Sequence, residues 1–248
     1  MKLLSWNVFN ENPDTDRVNA CLDLVKPDIA CLQEALPGHL ECLRARYKHC
    51  IVGRDYILRG SPCYLAIASS KPLISPNVVM HFPDNKPHPS IFSKWAGWVE
   101  FLDSLSACIQ LPDRSMLKIV NLHTSAATGP STRMAEIEAT VKAHLEQSGR
   151  CIVVGDFNMF STPAWALLLA LPFGYRLPDM VTFERRTVEN WWKGKGFDAA
   201  IRGVTMPRWR LQLDQVFLKN TNAVNAEIID KNFGSDHLPI KVELSVPK

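Results

Sequence analysis

The amino-acid sequence predicts an α+β protein, with mixed β-sheets and helices packed outside them. Three observations predict it. Strand-like apolar runs outnumber amphipathic helical stripes, and hairpin-like neighbours alternate with helical crossovers, which a purely parallel α/β design would not give. Unusual polar groups also stand at or beside the ends of the apolar runs, as in "VVGDFN" (Val153 to Asn158) and "SDHLPI" (Ser235 to Ile240). Gly, Asp, Asn and Ser form turns readily, so a turn explains either polar knot alone. The question is whether the two belong together.

Taken in order, "LLSWNVF" is a first strand close to Met1. Asp14 or Thr15 caps a helix in which Val18, Cys21, Leu22 and Val25 follow the i, i+3, i+4, i+7 stripe, and Lys26-Pro27 ends it. "DIACLQEA" is a short buried strand, followed by a helix near Leu36 to Tyr47. Strand-like runs recur at "CYLAIAS", "WAGWVEFL", "SACIQL" and "MLKIVNLH". A second amphipathic helix places Met134, Ile137, Val141 and Leu145 on one face and leads into "RCIVVGDFN". A third starts at Thr162-Pro163, hydroxyl as cap and proline at the first position, and buries Leu167, Leu168 and Leu171. "LQLDQVFL", "NAEIID" and "PIKVEL" close the chain as three more strands.

With 248 residues, 46% of them hydrophobic, the chain is long enough for one sizeable core. No low-complexity linker or internal repeat divides it, so a single domain over residues 1–248 is expected. A net charge of +3 does not by itself indicate nucleic acid, and it does not exclude a phosphate-bearing partner. The seven cysteines form no C-x-x-C pair, and Cys21, Cys31 and Cys151 fall inside apolar runs, where they read as buried thiols. "MKLLSWNVFN" is too short an apolar stretch for a signal peptide, and no run of about 18 apolar residues suggests a membrane span. These features predict a reduced, soluble, cytoplasmic protein.

The polar groups at the strand ends are Asn7, Glu34, His123, Asp156, Asn158, Asp214, Asp236 and His237. Taken singly, Glu34 reads as an exposed residue after a strand and Asn7 as a turn or cap. Asp214 is harder to dismiss, because an aspartate inside a buried run must find hydrogen bonds or a counter-charge. Four carboxylates gathered at one sheet edge would repel by roughly 4 kcal/mol per close pair at an effective dielectric near 20. Such a cluster calls for a cation, and its oxygen ligands suit Mg²⁺ or Mn²⁺ rather than zinc. Histidines beside it offer acid/base chemistry near neutral pH, which together with a metal suggests hydrolysis of a phosphate ester.

The ordered set "SWN", "LQE", "NLHTS", "VVGDFN", "LDQVFL" and "SDHLPI" resembles the endonuclease/exonuclease/phosphatase (DNase I-like) superfamily, from Asn7 to His237. That family includes deoxyribonucleases, apurinic endonucleases, tyrosyl-DNA phosphodiesterases, neutral sphingomyelinases, inositol polyphosphate 5-phosphatases and deadenylases. The resemblance implies a four-layered α/β sandwich, two mixed sheets face to face with helices outside, and places the two polar knots side by side at its mouth. It implies that Glu34 is the main Mg²⁺ ligand, with Asn7 completing the shell through its amide oxygen. His237 is then the base, and Asp236 orients it or joins a metal site. Asp156 and Asn158 position the nucleophile and hold a phosphate oxygen, His123 donates to the phosphate or leaving group, and Asp214 supports the cluster. Apurinic endonucleases carry an aspartate two residues after the first asparagine; Phe9 stands there in this chain, which puts a second metal in doubt.

The segment "RRTVENWWKGKGFDAAIRGVTMPRWR" mixes basic residues with Trp191, Trp192 and Trp209, a combination suited to phosphate contact and base stacking. Trp191, Trp192, Trp209 and Arg210 are therefore candidate substrate contacts, beside the reading that the tryptophans pack on the core. Arg133, opening the helix after His123, is a candidate phosphate contact, against the reading of a solvated helix start. The Pro-rich "HFPDNKPHPS" has no readable role. The expectation is a Mg²⁺-dependent phosphodiesterase acting on nucleic acid, DNA ahead of RNA, as a monomer without stable membrane insertion. The alternatives are a lipid or small-molecule phosphodiesterase or phosphatase, and a non-catalytic binding protein on the same fold.

Overall fold

The computed structural model describes residues 1–80, 98–126, 128–145, 149–159, 179 and 183–245. In chain order the elements are β1 (Lys2–Asn7), α1 (Thr15–Val25), β2 (Ile29–Ala35), α2 (Pro37–Arg46), β3 (His49–Leu58), β4 (Ser61–Ser69), β5 (Ile74–Val79), β6 (Trp98–Glu100) and β7 (Ser104–Gln110). There follow β8 (Met116–His123), α3 (Pro130–His144), β9 (Arg150–Asp156), α4 (Glu184–Gly194), β10 (Asp198–Ala199), β11 (Asp214–Lys219), β12 (Ala223–Ile228) and β13 (Ile240–Leu244). One sheet runs β12-β13-β1-β2-β4-β3-β6 and the other β10-β11-β9-β8-β7-β5.

Only β1/β2 and β8/β9 pair in parallel among these strands, and each pair is bridged by a helix, α1 or α3; the other pairs are antiparallel. This is the crossover geometry that parallel neighbours require. Leu3, Ile29, Cys31, Leu65 and Ile67 of the first sheet meet Leu105, Ile119, Ile152, Val154 and Val216 of the second in the central core. Alternate residues of the same strands face outward. Leu4, Trp6, Ala30 and Leu32 receive Val18, Cys21 and Leu22 of α1 and Leu40 and Leu43 of α2. Val120, Leu122, Cys151, Val153 and Phe217 receive Ile137 of α3 and Val188 and Trp192 of α4. Strand periodicity thus yields helix, sheet, sheet, helix: the expected four-layered sandwich.

The α1 stripe is buried as its spacing implies. Asp14 caps it by accepting from the Asp16 and Arg17 N–H groups, and Lys26 ends it at φ 48°. Cys21, Cys31 and Cys151 are buried, as expected. At Gly155, φ is +145° and a Cβ would lie 1.8 Å from the Leu122 carbonyl oxygen, so only glycine lets β9 close on β8 just before Asp156. Four elements were not expected: β3, β5, α4 and the two-residue β10. "WAGWVEFL" contributes only the three-residue β6 among the described residues. The expected helix with Leu167, Leu168 and Leu171, and the Pro-rich stretch 81–90, lie outside the described residues. No helix among the described residues is long and apolar enough to cross a membrane.

Candidate active site

Strand register assembles the site. Parallel pairing sets Asn7 opposite Gln33, which brings Glu34 beside Asn7, and sets His123 opposite Asp156. Antiparallel pairing sets Asp156 opposite Asp214. The two parallel pairs end at the same rim, where open α/β sheets commonly place their sites. The loop before β13 brings Asp236 and His237 to the same rim, held because Ser235 Oγ–H donates to the Asn7 carbonyl at 2.7 Å and accepts the His237 N–H at 2.9 Å. The two polar knots do belong together: His237 Nε2 lies 3.7 Å from Asp156 Oδ2.

Two histidine–carboxylate pairs flank Asp156. His237 Nδ1–H donates to Asp214 Oδ2 at 2.8 Å, and His123 Nδ1–H donates to Asp55 at 2.9 Å. Asp214 is itself fixed because its N–H donates to Thr205 Oγ1 at 3.1 Å. Asn7 Nδ2 donates to Glu34 Oε1 at 2.9 Å and to Asp156 Oδ2 at 3.0 Å, tying the two sheets together. Glu34 Oε2 accepts from the Tyr56 hydroxyl at 2.6 Å and the Asn10 N–H at 3.1 Å. Glu34 adopts φ 54° at an irregularity in the β2/β4 pairing, and Asn158 adopts φ 47°. Such left-handed non-glycine backbone concentrates at functional sites, where the surroundings hold it in place.

Electrostatics favour a cation here. Burial opposes a charge on His123, but Asp55, Asp156 and Glu34 outweigh it and push its pKa up to about 10. Burial likewise opposes charge on His237, yet Asp214, Asp156 and Asp236 raise it well above the ordinary value. Burial pushes the Asp236 carboxyl up to about 6 against the pull of His237. The hydrogen bonds around His123 nevertheless fit a neutral ring. Asn158 Nδ2 donates to the Thr124 carbonyl at 2.8 Å, which fixes the amide, and its other hydrogen points at His123 Nε2, 2.9 Å away, so that nitrogen must offer a lone pair. A positive charge among the carboxylates reconciles the two, because it removes the field that keeps the imidazole protonated. Buried Asp214 Oδ1 and Asp236 Oδ1 lack hydrogen-bond partners, and the oxygen-rich donor set suits a hard divalent ion. Ligand atoms of Asp156, Asp214 and His237 lie within 4.8 Å of one another.

All eight strand-end residues converge on this rim, with three adjustments to their expected roles. The Asn7 amide oxygen accepts the Phe9 N–H at 3.0 Å, so its nitrogen, not its oxygen, faces the carboxylates. Asp214 rather than Asp236 orients His237, since Asp236 Oδ1 is 3.9 Å from Nε2. Asn158 Nδ2 is bonded within the His123 pair, so donation to a phosphate requires that contact to be exchanged. The expected substrate contacts divide. Arg133 is fully buried: its Nε and Nη2 donate to Glu184 at 2.6 and 2.8 Å, which excludes it from a phosphate site. Trp192 is also fully buried, stacked on Phe217, because α4 turns that part of the basic segment into a core-facing helix. Trp191 borders a groove with Leu145, Phe197 and Lys219, and Lys219 is five residues along β11 from Asp214, about 17 Å at strand rise. Trp209 and Arg210 are exposed on a turn between Thr205 and Asp214, and the Thr205 carbonyl accepts the Leu238 N–H, so this turn adjoins the rim.

Two residues of the site carry no motif. Asp55 and Tyr56 come from β3, and Asp55 Oδ2 also accepts the Glu34 N–H at 3.0 Å, linking the His123 pair to Glu34. Their only sequence signal is the Arg59-Gly60 turn between two apolar runs, a hairpin cue. His123 Nδ1 lies 2.9 Å from both Asp55 oxygens, so Asp55→Asn sets an N–H donor against that ring N–H and, if the amide nitrogen takes the Oδ2 place, against the Glu34 N–H as well. If the site hydrolyses phosphate esters, as the resemblance implies, turnover should fall roughly 10- to 100-fold, the range for residues that orient a metal or catalytic ligand. Steady-state kinetics on the folded variant measures it.

A family model described as Endonuclease/Exonuclease/phosphatase family matches residues 4–237, and the chain belongs to that family. Its structure is similar to an endonuclease/exonuclease/phosphatase from Beutenbergia cavernae DSM 12333, at 17% identity and TM-score 0.73, covering 99% of this chain and 71% of that one. It is similar to D. rerio TDP2 complexed with single-strand DNA product, at 16% identity and TM-score 0.66, covering 99% of each chain. It is also similar to the 3′ phosphatase NExo from Neisseria bound to product DNA hairpin, at 15% identity and TM-score 0.66, again covering 99% of each chain. No curated protein sequence matches the chain.

Proposed function

We propose that residues 1–248 work as one divalent-metal-dependent phosphodiesterase, with nucleic acid as the substrate class. The observation that carries the chemistry is Asp156, set by strand register between the His123–Asp55 and His237–Asp214 pairs and bonded through Asn7 to Glu34. Glu34 and Asp236, with Asp156 and Asp214, would hold the cation, Mg²⁺ first and Mn²⁺ as its substitute. Bound there, it neutralises the carboxylates and stabilises charge developing on phosphoryl oxygen. His237 takes the proton of the attacking water at Nε2, while Asp214 holds Nδ1–H and stabilises the imidazolium that forms. Asp156 orients the water for in-line attack. Asn158 and His123 receive a nonbridging oxygen once their mutual hydrogen bond is exchanged.

Exposed Trp209 and Arg210 beside the rim, and the DNA bound by two of the similar structures, support nucleic acid. The small net charge and the removal of Arg133 and Trp192 from the contact surface keep a lipid or small-molecule phosphodiester as the second reading. The test is hydrolysis of bis-p-nitrophenyl phosphate with Mg²⁺ or Mn²⁺. Turnover is expected in the parent chain and is lost in Glu34→Ala. Single-stranded, duplex and 5′-tyrosyl oligonucleotides are then ranked against sphingomyelin and inositol phosphates. Turnover on lipid alone would overturn the substrate class, and no turnover with either metal would leave a binding protein.

A further inference from the structure

Two residues past His123 lies a second buried acidic group that the chemistry above does not use. Glu100 of β6 and Glu136 of α3 are both buried, and both reach the Ser125 hydroxyl: Ser125 Oγ is 2.9 Å from Glu100 Oε2 and 2.6 Å from Glu136 Oε1. A serine hydroxyl has one hydrogen and can donate to only one of them. Were both carboxylates ionised, the other contact would set lone pair against lone pair at hydrogen-bond distance in a site without bulk water. One glutamate must therefore carry a proton and donate it to Ser125 Oγ.

The surroundings decide which. Burial raises the Glu136 carboxyl too, but the Ser125 hydroxyl, the Ser125 N–H that donates to Glu136 Oε2 at 2.9 Å and the guanidinium of Arg133 all pull it back toward its charged form. Among the described residues, Glu136 on α3, His123 at the end of β8 and Asp55 on β3 act on Glu100, Tyr56 stands opposite it in the β3/β6 pairing, and Arg133 on α3 acts on Glu136. Burial, then the Glu136 charge, pushes the Glu100 carboxyl up to about 8. The proton order is thus Glu100 O–H to Ser125 Oγ, and Ser125 O–H to Glu136 Oε1.

This chain of bonds anchors the segment behind the phosphate end of the site. Thr124, next to Ser125, accepts Asn158 Nδ2 on its carbonyl, donates its N–H to the Asp156 carbonyl at 3.0 Å, and donates Oγ1–H to the Phe157 carbonyl at 2.6 Å. Whatever displaces Ser125 therefore displaces the partners of Asn158 and His123 together. We propose that Glu100 is a protonated positioning residue, and that the Glu100–Ser125–Glu136 chain sets Asn158 and His123 for phosphate only while Glu100 keeps its proton. Loss of that proton to solvent puts two carboxylates on one hydroxyl and opens the clasp, giving an alkaline limb to activity. The second half rests on the hydrolase reading; the first does not.

The decisive measurement is a ¹³C NMR titration of the glutamate carboxyls from pH 4 to 10, with backbone amide shifts recorded in parallel. We expect one glutamate to titrate near 8, far above the ordinary glutamate value of about 4.3, and to vanish in Glu100→Gln. The amides of Thr124, Ser125 and Asn158 should follow it in the parent chain and stay fixed in Glu100→Gln, whose amide donates to Ser125 Oγ at every pH. Glu136→Gln removes the neighbouring charge and should move the Glu100 titration down, which carries the test if Glu100→Gln does not fold. In kinetics, parent kcat should fall about tenfold per pH unit above the titration point, as for any essential acid, and Glu100→Gln should stay flat. Ordinary titration of every glutamate, or a pH-independent Thr124–Asn158 segment, would overturn the proposal. A chain without turnover but with the titration intact would sink the hydrolase reading alone.

Discussion

His237→Ala should lower kcat toward a phosphodiester by about 10²–10⁴-fold, the usual contribution of a positioned general base. His237 Nε2 faces Asp156 at 3.7 Å while its Nδ1 is fixed on Asp214 at 2.8 Å; His123 has the matching arrangement on Asp55, 3.8 Å from Asp156, but its Nε2 is engaged by Asn158 Nδ2 at 2.9 Å, so His237 is the better placed base. Asp214→Ala should cost nearly as much, because an imidazole without its Nδ1 partner loses both its orientation and the stabilisation of its charged form. The double variant should be little worse than either single one, since residues acting as a unit are strongly non-additive. KM should move little, which separates this pair from substrate contacts such as Trp209. The check is a double-mutant cycle in kcat and KM on variants with near-parental thermal unfolding. Additive losses would mean that the two residues act separately.

The parts of the site legible in the sequence are those where local chemistry conflicts with local structure. Asp214 interrupts "LQLDQVFL" and Asp156 ends "RCIVVGD", and an apolar strand ending in a carboxylate needs a reason that a turn does not supply. Their convergence is not a local property: it follows from parallel pairing of β8 with β9 and antiparallel pairing of β9 with β11, which only the family resemblance implied in advance. Asp55 stayed hidden because Gly53, Arg54 and Asp55 break the apolar alternation of β3, so the strand resembles a loop. Trp192 misled for the opposite reason. A tryptophan among lysines and arginines reads as a nucleic-acid contact, but charged residues on the outer face of α4 accompany Val188 and Trp192 on its inner face, four residues apart.

Arg133 is the position where a single sequence feature pointed furthest from the structure, and its replacement separates the two readings. Its guanidinium meets Glu184 through two bonds, at 2.6 and 2.8 Å, and its Nη1 donates to the carbonyls of Ser125 and Thr128. It thereby joins α3, α4 and the segment after His123 at zero exposure. Arg133→Ala strips Glu184 of its buried counter-charge and leaves a cavity, so unfolding free energy should drop by about 3–5 kcal/mol, the range for breaking a buried pair from one side. Arg133→Lys should recover only part, because an ammonium lacks the planar two-pronged geometry. Pairing Arg133→Met with Glu184→Leu should cost much less than Arg133→Ala, since no charge is then left buried. Urea unfolding measures all three. The same samples, assayed below their unfolding transitions, should keep KM within several-fold of the parent chain, because the buried guanidinium meets no substrate, while kcat falls only as far as its hold on the Ser125 carbonyl is lost. A loss of a hundredfold or more in kcat with unchanged stability would instead place its guanidinium at the phosphate and overturn the buried pairing.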